Sequence, residues 1–189
     1  NFKPDLRKLR QAITPKTKAL ILNSPNNPSG VVFTQRELED IAQIVGETNI
    51  FVISDEIYEK VIYDGNTHFS IGSIKAIREY VITVNGVSKS YAMTGWRIGY
   101  AAGPHYVMEA AAKVQTQVTS NANSIAQKAT VAALMGPTME IHAMLDEFKR
   151  RRDFVYEKLC AIHDVTVALP DGAFYFLFDV SKFYRKKSQ

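Results

Sequence analysis

The chain has 189 residues, 46% of them hydrophobic and 22% charged. That ordinary globular balance excludes a disordered chain and supplies one domain, or one and part of another, at roughly 150 residues each. Lys and Arg exceed Asp and Glu by 23 to 19, and part of this small excess sits in Lys149-Arg150-Arg151-Arg152 and Arg185-Lys186-Lys187. Neither run is interleaved with aromatics, so both read as solvated faces and not as a nucleic-acid footprint. The single cysteine, Cys160, excludes an internal disulfide framework, suits a reducing, cytoplasmic compartment and is expected to be packed. No apolar run approaches the roughly 20 residues that span a bilayer, and no signal-peptide pattern is present.

In chain order, short apolar runs alternate with helical stretches, the mark of an α/β fold. Lys18–Asn23 predicts a buried strand, followed by a Pro/Asn/Gly cluster over Ser24–Gly30. Thr34-Gln35-Arg36-Glu37 has capping-box spacing and predicts a helix start, with Leu38, Ile41, Ala42 and Val45 as the inner face. Asn49–Ser54, Tyr80–Val84 and Arg97–Ala102 predict three more strands. Beyond Pro104, Val107, Ala110, Ala111, Val114 and Val118 form a helical stripe. Ile125–Leu134 continues helically until Gly136-Pro137. Residues from Ile141 to Ile162 predict one long amphipathic helix, and Val165–Leu169 and Ala173–Val180 predict strands around a Pro170-Asp171-Gly172 turn.

Ligands of open α/β sheets sit at the carboxyl ends of the strands. The residues there are Asn26 and Asn27 after the first strand, Asp55, Glu56 and Tyr58 after the second, and Ser88, Lys89 and Ser90 after the third; Arg97 opens the fourth. An amide, a carboxylate, a phenol, an amine and a guanidinium thus converge on one edge. Gly86-Val87-Ser88-Lys89-Ser90 ends like a phosphate-binding loop, but Ser88 stands where that loop needs glycine directly before the lysine, so a nucleotide-triphosphatase is rejected. No dinucleotide fingerprint is present. His68, His105, His142 and His163 show no metal-ligand spacing and read as surface or ordinary hydrogen-bonding residues.

Ser24-Pro25-Asn26-Asn27-Pro28-Ser29-Gly30, Ser54-Asp55-Glu56-Ile57-Tyr58 and the run from Ser88 through Lys89, Gly95, Trp96 and Arg97 to Tyr100 resemble class I/II aminotransferases, pyridoxal-phosphate enzymes of fold type I. Gly172-Ala173-Phe174-Tyr175 resembles the entry to that family's small domain. Gln115–Lys128 further resembles bacterial aspartate aminotransferases, including those that accept prephenate. The resemblance implies Lys89 as the Schiff-base lysine and proton carrier. It implies Asp55 as partner of the pyridine nitrogen. Tyr58 and Asn27 become donors to the cofactor's phenolic oxygen, with Asn27 presented by a turn that Pro25, Pro28 and Gly30 fix. Arg97 becomes the phosphate clamp, to which Ser88 adds a hydroxyl. Many relatives carry serine three residues before the lysine, where this chain has Gly86.

Family members are roughly twice this long and have two domains. The resemblance therefore implies a central piece: residues 1–136 as the second half of the large cofactor-binding domain, and 137–189 as a connecting helix and the start of the small α+β domain. A first phosphate-binding loop, a ring-stacking aromatic and a substrate-carboxylate arginine then lie outside the chain, and the absence of an initiator Met reads as a cut edge. The piece alone is expected to be inactive and to bind cofactor weakly. The implied activity is ping-pong transfer of an amino group between aspartate or glutamate and a 2-oxo acid, in a homodimer with no nucleic-acid, membrane or metal partner. The alternatives are an aromatic-amino-acid, alanine or prephenate aminotransferase, or a non-catalytic aminotransferase-like domain of a transcription regulator.

Overall fold

The computed structural model describes residues 2–184; the run Arg185-Lys186-Lys187 lies outside them. A mixed sheet organises the chain. Strands β1 (Ala19–Asn23), β2 (Phe51–Asp55) and β3 (Val81–Gly86) run parallel in sequence order. Strand β4 (Gly99–Ala102) joins β3 antiparallel, with Gly86 opposite Gly99. The register places Asn23 beside Asp55 and Asp55 beside Val84, so β1, β2 and β3 end on a common edge.

Helix α1 (Leu6–Ala12), not anticipated from the sequence, starts where the Asp5 carboxylate accepts from the Arg7 and Lys8 amides. Helix α2 (Gln35–Thr48) crosses between β1 and β2, and its capping box is formed: Thr34 accepts from the Glu37 amide, and Glu37 from the Thr34 amide. Its anticipated inner face, Leu38, Ile41, Ala42 and Val45, is buried against Leu22, Phe33, Val52 and Val81. Each fully buried aliphatic side chain of this size contributes about 1.5–3 kcal/mol, so this helix–sheet layer is the main core. Ile71 and Ile77 complete it from two 3-10 turns, Ile71–Ser73 and Lys75–Tyr80, on the way to β3.

Three helices follow: α3 (His105–Val118), α4 (Ser124–Met135) and α5 (Met139–Cys160). The periodic stripe of α3 exists, but it has no cover within the described residues: Val114 and Val118 are 62% and 73% exposed. Cys160 is exposed and free, contrary to the expected packing, because α5 ends there at the surface.

Two further expectations are corrected. The predicted strands Val165–Leu169 and Ala173–Val180 shrink to a two-residue ladder, β5 (Thr166–Val167) with β6 (Phe178–Asp179). Backbone groups between them are used elsewhere: the Gly172 amide donates to Gly30, the Ala173 amide to Val61, and Asp171 accepts from Tyr63. The basic run on α5 is also not one solvated face. Arg150 and Arg151 pair with Glu147 at the surface, but Arg152 is buried. It meets Asp64 at 2.6 Å, Asp153 at 2.6 Å and the Pro170 carbonyl at 3.1 Å, and lies 4.5 Å from the Tyr63 ring centre. Lys149 also pairs with Asp64.

Candidate active site

The three parallel strands carry their following loops to the same edge. After β1, the loop folds on itself through side-chain amides: Asn23 Oδ1 accepts the Asn27 amide at 2.7 Å, and Asn26 Oδ1 accepts Ser29 Oγ at 2.6 Å. Asn27 itself remains exposed. Gly30 has φ +71°, and a Cβ there would stand 2.4 Å from Pro170 Cβ. The loop therefore needs glycine both for its left-handed backbone and for the turn packed on it.

Asp55 ends β2, and its carboxylate accepts the Ile57 amide at 3.1 Å. Glu56 points the other way, into the protein. It accepts from Ser54 Oγ at 2.9 Å and Ser70 Oγ at 2.7 Å, and faces His68 Nε2 at 2.9 Å. This buried knot anchors the β2 end, leaving Asp55 and Tyr58 toward the site. His68 thus has the hydrogen-bonding role expected of it, while its Nδ1 is buried without a partner in the described residues.

Tyr58 is 3% exposed. Its hydroxyl lies 2.6 Å from that of Tyr175, and Phe174 packs edge-on at 5.2 Å between ring centres. Burial, then the Tyr175 hydrogen bond and the Asp55 charge, push the Tyr58 phenol well above its ordinary range, while the Asn27 amide beside it pulls the other way.

Lys89 follows β3. Its ammonium stands 5.9 Å from the Tyr58 ring centre and 5.8 Å from that of Phe174. Among the described residues it makes no hydrogen bond or ion pair, an unusual state for a half-buried lysine. Tyr58, Asp55, Asn27 and Lys89 are therefore brought together. Arg97 is linked to them through the chain: Thr94 Oγ1 donates to the Ser88 carbonyl at 3.0 Å, and Arg97 Nη1 donates to the Thr94 carbonyl at 2.8 Å. Arg97 has φ 55° and opens onto a cleft of about 790 Å³ that Gln115, Thr119 and Asn123 also line. Its other guanidinium donors meet no carboxylate among the described residues. The Ser88 hydroxyl makes no hydrogen bond among them either; only its carbonyl is engaged.

The donor set fits pyridoxal phosphate. An unpaired amine suits the aldehyde, a carboxylate the ring nitrogen, a phenol and an amide the ring oxygen, and an uncommitted guanidinium the phosphate. A serine at position 86 does not fit this backbone, since a Cβ there would stand 2.8 Å from the Ile98 carbonyl oxygen. Tyr175 and Phe174 were missed as site residues. They lie over a hundred positions from Tyr58, and the Gly172–Tyr175 motif carries no local sign of which loop it meets.

Comparison with known proteins bears on the family and the fold. The profile described as "Aminotransferase class I and II" matches residues 1–187. An aspartate aminotransferase of Bacillus sp. (strain YM-2) is 48% identical over 187 residues, which cover 98% of this chain and 48% of that protein. The aspartate/prephenate aminotransferase of Thermus thermophilus is 45% identical over 183 residues, 95% of this chain and 46% of that protein. The crystal structure of the Rhizobium meliloti aspartate aminotransferase superposes with a TM-score of 0.92 at 40% identity, covering 94% of this chain and 45% of that one. The chain thus spans about half the length of the curated relatives it matches.

Proposed function

The chain belongs to the class I and II aminotransferases, and from that membership we propose that the protein carrying it moves an amino group between aspartate or glutamate and a 2-oxo acid by a ping-pong route that uses pyridoxal 5′-phosphate. The cofactor, when bound, supplies the electron sink that such chemistry needs. Everything else is asked of the protein. Lys89 would hold the cofactor by its amine, and that amine would carry a proton from the substrate Cα. Asp55 keeps the ring nitrogen protonated by its charge. Tyr58 and Asn27 donate to the ring oxygen, and Arg97, with Ser88 beside it, holds the phosphate.

The observation that carries this reading is the Lys89 amine, half-buried and unpaired between the Tyr58 and Phe174 rings at the strand edge that also presents Asp55. A lysine with only a structural role is seldom withdrawn from solvent without a carboxylate partner. Prephenate as an alternative acceptor is favoured by the Thermus relative's name. A homodimer, a boundary between large and small domains near residue 136, and a cytoplasmic location, which suits the exposed free thiol of Cys160, belong to the same proposal.

The test is amino transfer from aspartate to 2-oxoglutarate by full-length protein. Robust turnover that falls by on the order of 10²–10⁴ in Lys89→Ala is expected. No turnover with any amino donor would favour a ligand-binding regulatory domain instead.

A further inference from the structure

The contact that the proposed roles leave unexplained is the one between two phenols. Tyr58 Oη and Tyr175 Oη are 2.6 Å apart, and either can donate. Each phenol has one proton. If Tyr58 donates to Tyr175, its proton is spent inside the protein. If Tyr175 donates to Tyr58, the Tyr58 proton is free to point into the site. We propose that Tyr175 is a positioning residue for the reaction: when an anionic oxygen sits opposite Tyr58, Tyr175 donates to Tyr58 Oη and thereby turns the Tyr58 hydroxyl toward it. This rests on the reading of the site given above.

The surroundings favour that direction. The Asn27 amide also lies beside Tyr58 and acts on its phenol in the donor's sense, lowering its pKa. With Tyr175 and Asn27 both donating, the lone pairs of Tyr58 Oη are filled and its proton must leave in a third direction. Chained hydrogen bonds of this kind strengthen the terminal donor. The polar and charged groups facing Tyr58 come from four segments: the neutral Asn27 amide after β1, and the titratable Asp55 at the end of β2, Lys89 after β3 and Tyr175 before β6. Burial and the nearby Asp55 charge both hold Tyr58 protonated, so it remains a donor throughout the working pH range. Tyr175 is itself held by rings. Phe174 stands 4.9 Å away between centres, and Phe148 of α5 stacks on Phe174 at 5.2 Å. The orientation of the donor chain is thus set by a segment far from the strand edge in sequence.

The test uses the visible absorbance of bound pyridoxal phosphate in full-length protein, titrated with pH, in wild type, Tyr175→Phe, Tyr58→Phe and the double variant. Tyr175→Phe keeps the ring and removes only the oxygen. A donor to the cofactor's ring oxygen favours the deprotonated form, so losing it raises the midpoint. Tyr58→Phe is expected to raise it by roughly one pH unit, the effect of a whole hydrogen bond. Tyr175→Phe is expected to raise it by several tenths of a unit. In the Tyr58→Phe background, Tyr175→Phe should add nothing, because it acts through Tyr58. An unmoved midpoint in Tyr175→Phe, or an equal shift in both backgrounds, overturns the proposal while leaving the site reading intact. Wild-type protein that takes up no cofactor and shows no visible band overturns both.

Discussion

A few side chains decide the chemistry, and Asp55 among them can be tested without touching the fold. The Asp55 carboxylate accepts one backbone amide, that of Ile57, so Asp55→Asn should fold normally. It is expected to lower turnover by on the order of 10²–10³, the usual effect of losing one preorganised electrostatic group. Full activity in Asp55→Asn would remove it from the site. Gly86 is constrained by space. Gly86→Ser puts a Cβ 2.8 Å from the Ile98 carbonyl oxygen and 3.1 Å from Gly99 Cα, and overpacking of this kind costs about 1–3 kcal/mol. Thermal unfolding should show the loss; a variant as stable as wild type would mean that β4 can move away. At this scale the sequence shows where these residues lie, because short local runs put Asn27, Asp55, Tyr58 and Lys89 at or just past strand ends and Arg97 just before β4. Tyr175 was not, because nothing in a turn motif encodes the loop it will meet.

Elements show where the local code stops. The capping box of α2 was readable from Thr34 and Glu37 alone, and Thr34→Ala is expected to cost about 1 kcal/mol in thermal or urea unfolding. The inner face of α2 was readable for the same reason, since periodicity reports one buried side. Helix α5 was readable as a helix, but the burial of Arg152 was not, since four consecutive basic residues look alike in sequence. What separates Arg152 is its tertiary partner. Asp64 lies on the connection between β2 and β3, and Arg152 and Lys149 hold its carboxyl down to about 2, below the ordinary value of roughly 3.9. The sign follows: this clasp stabilises the fold fully above about pH 4 and is lost as the pH falls toward 2. Asp64 is partly exposed, so the contribution is about 1 kcal/mol or less. The melting-temperature gap between wild type and Asp64→Asn should be constant above pH 4 and close below it. A gap that widens on acidification would contradict the clasp.

At the scale of the whole molecule, one layer is complete and another is bare. The α2 side of the sheet is a closed core. Ile21 on β1 is 74% exposed, as are Val118 at 73% and Met135 at 83% on the α3 and α4 helices, surfaces that soluble monomers seldom leave uncovered together. A polypeptide of these 189 residues alone is expected to self-associate in sedimentation velocity; a monodisperse monomer would contradict that. The bare faces also explain what could not be read in advance. The α3 stripe has the pattern of a buried helix, and a pattern reports that a side is apolar without naming its cover. The strands were likewise readable up to β4, while β5 and β6 were overestimated because the backbone of 171–173 bonds to other loops.

The assignment of Lys89 comes down to a peptide map. Full-length protein is mixed with pyridoxal phosphate, reduced with borohydride, digested and mapped. The label is expected on the peptide that contains Lys89 and is expected to vanish in Lys89→Ala. A label on any other lysine, or one that persists in Lys89→Ala, would contradict the site described here.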